Sequence, residues 1–118
     1  MKDKIIQAED VFDKSYAQKR KEQPVFSGVL KYFPRALKAV ANTSFVGNEQ
    51  HNPGQELFWN RSKSQDNEDA LVRHLIDHTI NPIDSDDGQL HLAKVAWRAL
   101  ASLEKYLEDN GDESKKDL

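Results

Sequence analysis

Asp87, His91, Lys94, Arg98 and Lys105 recur at helical spacing and fall within one narrow arc of a helical wheel. An imidazole, an ammonium and a guanidinium at i, i+3 and i+7 present converging donors to a phosphate chain. The same arc also suits a plain solvated face. Two acidic pairs stand at successive helix starts, Asp66 with Asp69 and Asp84 with Asp87. Mg²⁺ and Mn²⁺ take oxygen ligands and share them with substrate phosphates, so these four carboxylates are candidate metal ligands. Helix capping and the macrodipole ask for aspartate at the same places.

His74 and His78 lie one turn apart, close enough for a metal to bridge. Their pattern, HLIDH, lacks the glutamate of the zinc-protease helix. A histidine at the edge of an apolar face also serves as a hydrogen-bonded structural residue. His74 and Asp77 are the catalytic candidates, with His74 as general base. Arg73 adds a cation beside them. Upstream, the stretch N-x-x-H-N-P-G from Asn48 to Gly54 holds His51 and an Asn-Pro-Gly turn that starts at Asn52, and Trp59, Arg61, Lys63 and Ser64 follow. This stretch reads as a ligand lid, in which an aromatic ring stacks on a nucleobase while Arg and Lys reach phosphate. Trp59 as a plug in the core fits equally well.

Four helices are expected to position these groups. Ile5, Ala8, Phe12 and Tyr16 make one apolar stripe, giving a helix over 4–22 that Lys19, Arg20 and Lys21 close and Pro24 stops. A second helix starts at Pro34, carries Leu37, Val40, Ala41 and Phe45, and ends at a Gly47 cap. Residues 47–64 show no period and read as a long functional loop. The third helix covers 65–79, with Ser64 or Asp66 as N-cap and Leu71, Val72, Leu75 and Ile76 as its apolar face. INPIDSDDG is a turn. The fourth helix, about 88–109, has two adjoining apolar faces, which predict a central helix wrapped by apolar neighbours. No strand alternation is present, so the expected fold is all-α, a compact bundle of about four helices.

The chain has 118 residues, no cysteine and a net charge of −3. Its length suits one domain, and disulfides, zinc ribbons and thiol catalysis are excluded. An acidic balance argues against a partner that is a nucleic-acid polymer. No apolar run reaches the roughly 18 residues of a membrane span, and MKDKIIQAEDVF does not read as a signal peptide, so a cytoplasmic protein without a membrane partner is expected. The core is small, and the fourth helix has more apolar circumference than three short helices cover, which predicts a homo-oligomer.

From Gly28 to Leu107 the chain resembles the phage-associated family described as the N-terminal domain of dATP/dGTP diphosphohydrolase. The residues that carry the resemblance are YFPRALKAVA (32–41), GNEQHNPG (47–54), the Trp-containing loop ending at Lys63-Ser64, ALVRHLIDH (70–78), the Asp-Gly turn at 87–88 and HLAKVAWRALASLE (91–104). The resemblance implies a link to MazG-like all-α pyrophosphatases, which cleave nucleoside triphosphates to monophosphate and pyrophosphate with divalent metal. It also implies an oligomeric nucleotide-binding protein in a phage-infected bacterium. By length and charge, residues 1–109 read as one domain and 110–118 as a flexible charged tail. His51, Asn52, Arg73, His74, His91 and Lys94 sit on the family's recurrent polar positions. MazG-like enzymes hold metal with E-x-x-E and E-x-x-D, where this chain has two D-x-x-D pairs. Other members read H-x-x-H where this chain has His91-x-x-Lys94, which favours direct phosphate binding there. Two functions follow: Mg²⁺- or Mn²⁺-dependent hydrolysis of a (deoxy)nucleoside triphosphate, or non-catalytic sequestration of a nucleotide or nucleotide-derived signal.

Overall fold

The structure, a computed structural model, describes residues 16–110. The expected apolar stripe at Ile5, Ala8 and Phe12 and the expected charged tail at 111–118 lie outside the described residues. The chain divides into two compact units that meet at Pro34 and Arg35.

In the first unit, α1 is helical over 16–21 and ends ahead of Pro24, which cannot continue it. A single π-helical turn follows, Phe26–Leu30, closed by the Lys31 N–H donating to the Phe26 carbonyl at 2.9 Å.

The second unit carries the remaining helices. The second helix, α2, spans Pro34–His51 and so runs one turn past Gly47, where a cap was expected. Gly47 does not adopt the positive φ of such a cap, and the left-handed residue is Gly54, with φ 76°. The helix ends instead because Pro53 disfavours helical geometry at Asn52, whose N–H makes the last helical bond to the Asn48 carbonyl. The long loop thus shrinks to 52–66 and includes a 3-10 turn, Arg61–Lys63, capped by Asn60 accepting from the Ser62 N–H.

The third helix, α3, spans Asn67–Ile80. Asp66 holds the N-cap position, but its side chain makes no capping bond. Ser64 and Asn67, both buried, bond to each other instead: the Ser64 hydroxyl donates to Asn67 Oδ1 at 2.9 Å, and Asn67 Nδ2 donates to the Ser64 carbonyl at 3.0 Å. The 81–90 turn is a run of aspartate and asparagine side chains accepting backbone N–H groups two residues on, as at Asn81, Asp84 and Asp87. Gly88 takes φ 73°, and an isolated antiparallel bridge joins Ile83 to Leu90. The fourth helix, α4, spans His91–Asn110. Glu68 bonds Ser102 while His74 meets His91, so α3 and α4 run antiparallel. The described residues contain no strand, and the fold is the expected all-α one.

The orientation of α4 overturns an expectation. Its polar arc faces α3 and the turn, with His91 buried and Lys94 and Arg98 largely covered. Among the described residues the buried apolar side chains are three alanines, Ala70, Ala93 and Ala101. The leucines point outward, Leu100 at 50% and Leu103 at 54% exposure, and so do Val72, Leu75, Ile76 and Ile80 of α3. Neither the apolar-wrapped helix nor the solvated polar face describes this chain. Ion pairs and small alanines fill the α3–α4 seam, and Val72, Leu75, Ile76, Ile80, Leu100 and Leu103 lie exposed.

Candidate functional site

Three segments converge on one point. His74 projects from the middle of α3, Asp84 from the turn and His91 from the first residue of α4. His74 Nδ1 lies 3.0 Å from His91 Nδ1, and His91 Nδ1 lies 3.9 Å from Asp84 Oδ2. One potential ligand atom from each residue falls within 4.8 Å of the others. The 81–90 turn makes this possible, because the Pro82 carbonyl accepts the His91 N–H and ties the start of α4 to the turn.

Lys94 completes the group. Its Nζ donates to Asp84 Oδ2 and to Asp87 Oδ2, both at 2.7 Å. The Lys94 bond and a backbone N–H from Asp86 hold the Asp84 carboxyl below its ordinary range. Burial pushes Asp87 up, but the bonds from Lys94 and the Gln89 N–H outweigh it and the net shift is downward. Burial likewise pulls Lys94 down, and its two carboxylate partners raise it above the ordinary value. His74 is lowered by burial first and by the charge of Lys94 next, so it stays neutral near pH 7.

Beside this group lies an open cavity of about 760 Å³, the size of a cofactor or nucleotide pocket. His51, Asn52, Trp59, Lys63, His74, Asp87, Lys94 and Arg98, all singled out by residue type and spacing, are on its wall. Trp59 meets Trp97 edge to face at 5.6 Å, so it both packs in the unit and lines the cavity. The Trp97 indole donates to Ser44 Oγ at 2.7 Å, which locks the pair to α2.

Other candidates are placed elsewhere. Arg61 stacks on Trp59 at 4.2 Å and pairs with Glu108 at 3.0 Å, and it is not on the cavity wall. Arg73 is exposed on α3. Asp66 lies 3.7 Å from Arg98, and Asp69 is exposed in the first turn of α3. Neither joins Asp84, whereas Asp87 does so through Lys94. Asp77 is half-buried outside the His74–Asp84–His91 group. His74 meets His91 rather than His78, whose Nδ1 is buried without a partner.

Two positioning residues were not among the candidates, although Asn48 opens the N-x-x-H-N-P-G stretch. Asn48 is buried, donates to the Gln55 carbonyl at 3.0 Å and accepts the Phe58 N–H at 3.3 Å, which folds the 52–58 loop over the end of α2. Gln89 links the turn to α2 through Asn42 at 2.8 Å and Thr43 at 3.2 Å. The place of Asn48 at the head of the turn motif was the signal for the first, and the second had none.

No curated protein and no solved structure matches the chain. A family model described as dATP/dGTP diphosphohydrolase, N-terminal, matches residues 14–115 and takes in every residue of the cavity and of the His74–Asp84–His91 group. With nearly the whole chain under that match, the protein belongs to the dATP/dGTP diphosphohydrolase N-terminal family.

Proposed function

We propose that the cavity binds a (deoxy)nucleoside triphosphate and that the protein hydrolyses it to the monophosphate and pyrophosphate with the help of a divalent ion. The observation that carries this reading is a metal-capable group, His74–Asp84–His91, beside a cavity with an aromatic wall and the cations Lys63 and Arg98. The donor set fits an ion that accepts imidazole, such as Mn²⁺, better than Mg²⁺, which prefers oxygen ligands throughout. His74, Asp84 and His91 would hold that ion, which supplies positive charge to the phosphate oxygens when bound. His74 Nδ1 cannot hold an ion and accept a proton at once. The convergence of three donors favours the holding role over the general base expected from its type. Lys63 and Arg98 orient the phosphate chain by charge-assisted hydrogen bonds, and Trp59 offers a face to the base. The resemblance further supports a phage-encoded protein acting in the cytoplasm of its bacterial host.

A second reading, a binder without turnover, is favoured by one observation: Lys94 already pairs with both Asp84 and Asp87. Incubation with dATP and dGTP, with Mn²⁺, with Mg²⁺ or with chelator, separates the two. The enzyme releases monophosphate and pyrophosphate only with metal. Binding seen by tryptophan fluorescence with no product under any condition establishes the binder.

The outward leucines support a homo-oligomer as the working form. Val72, Leu75, Ile76 and Ile80 of α3 and Leu92, Leu100, Leu103 and Leu107 of α4 are all exposed. Eight such side chains at roughly half exposure offer about 800 Å² per chain, the share each partner buries in a standard interface. Two antiparallel α3–α4 pairs packed on these side chains make a four-helix bundle. Among the described residues only three alanines are buried apolar side chains, and a second copy is the partner always at hand to cover the rest.

A further inference from the structure

Lys94 stands in an unusual place for a cation in a metal-capable group. Its ammonium lies 2.7 Å from Asp84 Oδ2, the same oxygen that lies 3.9 Å from His91 Nδ1. The side chains involved are well covered, Lys94 at 17% exposure and the two aspartates at 12% each, so water screens these charges poorly. Any ion that took His91 and Asp84 as ligands would have to share the Asp84 carboxylate with a positive charge that is covalently fixed and already bonded. We propose that Lys94 is a tethered competitor for the divalent ion: its ammonium occupies the Asp84–Asp87 carboxylates and thereby sets the metal affinity of the His74–Asp84–His91 group.

The inference rests on the metal reading above but goes further. It makes metal uptake a property controlled by one side chain. Two carboxylates on one ammonium leave a net negative charge, which draws a divalent ion, yet the ion must displace the ammonium from Asp84 to use that carboxylate fully. Because Lys94 also lies on the cavity wall, an anion that accepts its hydrogen bond loosens its hold on Asp84. Metal and anion are therefore coupled, each favouring the other.

The test is calorimetric titration of Mn²⁺ into the full chain and into Lys94→Gln and Lys94→Met, with Lys38→Gln, an exposed lysine on α2, as the charge control. Both Lys94 variants are expected to bind one Mn²⁺ per chain at least tenfold more tightly than the native chain, and Lys38→Gln to match the native chain. Adding His91→Ala to Lys94→Gln should abolish the gain. If a Lys94 variant is unfolded without metal, Mn²⁺ should restore its helical circular dichroism at concentrations that leave the native melting temperature unchanged. Equal affinity of the native chain and both Lys94 variants, or an unfolded variant that Mn²⁺ does not rescue, overturns the proposal and leaves the metal reading standing. Mn²⁺ binding by none of the chains overturns both.

Discussion

His74 and His91 meet Nδ1 to Nδ1 at 3.0 Å across the α3–α4 seam. At that distance one nitrogen carries the proton and the other accepts it, so one of the two rings must present a bare Nδ1. Burial and the neighbouring charges of Lys94 and His91 depress His74 below its ordinary 6.5, while Asp84 pulls the other way. In the window between the depressed value and 6.5 the unfolded chain therefore binds more protons than the folded one, and stability falls as pH drops through it. Asp84 and Asp87, depressed below 3.8, remove more stability at still lower pH. Lys94, raised above 10.5, keeps its contribution until the pH climbs past that value. Urea unfolding across pH should give a plateau between about 6.5 and 10.5, with a first decline on the acid side. His74→Gln should flatten that first decline. A native curve that rises on acidification from pH 7 to 5 contradicts the assignment.

Asn48→Ala should destabilise the protein by about 1–3 kcal/mol, since it leaves the Gln55 carbonyl and the Phe58 N–H without their partner. Hydrogen exchange at the Phe58 amide should rise sharply in this variant, while exchange in α4 should rise only as much as global stability falls. Unchanged protection at Phe58 would mean that Asn48 does not hold the loop.

Leu103→Asp should break the oligomer. Light scattering is expected to return at least twice the 13.5 kDa chain mass for the native protein and lower mass, with lost helical signal, for the variant. Glu104→Lys, on an exposed neighbouring position, should retain the native mass. A native protein that stays at single-chain mass at micromolar concentration rules out the second copy as the cover for the leucines.

Lys63→Ala should weaken nucleotide triphosphate binding by about 1–3 kcal/mol with little change in stability, because the residue is exposed on the cavity wall. Arg98→Ala should weaken binding by a similar amount and also lower stability, because Arg98 donates to Asn67 Oδ1 at 2.9 Å at the start of α3. Titration followed by tryptophan fluorescence and urea unfolding reads both. Equal affinity for the native chain and both variants would place the phosphates elsewhere.

The helices α2, α3 and α4 and their order were legible in the sequence alone, because a helix announces itself through local periodicity and its ends through proline, glycine and aspartate. Pro34, Pro24 and the Asp-Gly turn at 87–88 act as their types dictate. So was the polar arc from Asp87 to Lys105, since a wheel separates faces without any knowledge of neighbours. Periodicity states that two faces differ, however, not which of them one chain buries. That choice fell to tertiary structure: Lys94 finds Asp84 and Asp87, Arg98 finds Asn67, and these bonds hold the polar arc inward while the leucines are left outward. The meeting of His74 with His91 was equally hidden, because residues 17 apart in sequence become neighbours only when the 81–90 turn sets the register of α3 against α4. Gly47 carries the same lesson: glycine permits a helix to stop, and the chain stopped one turn later because proline, which forbids rather than permits, stands at 53.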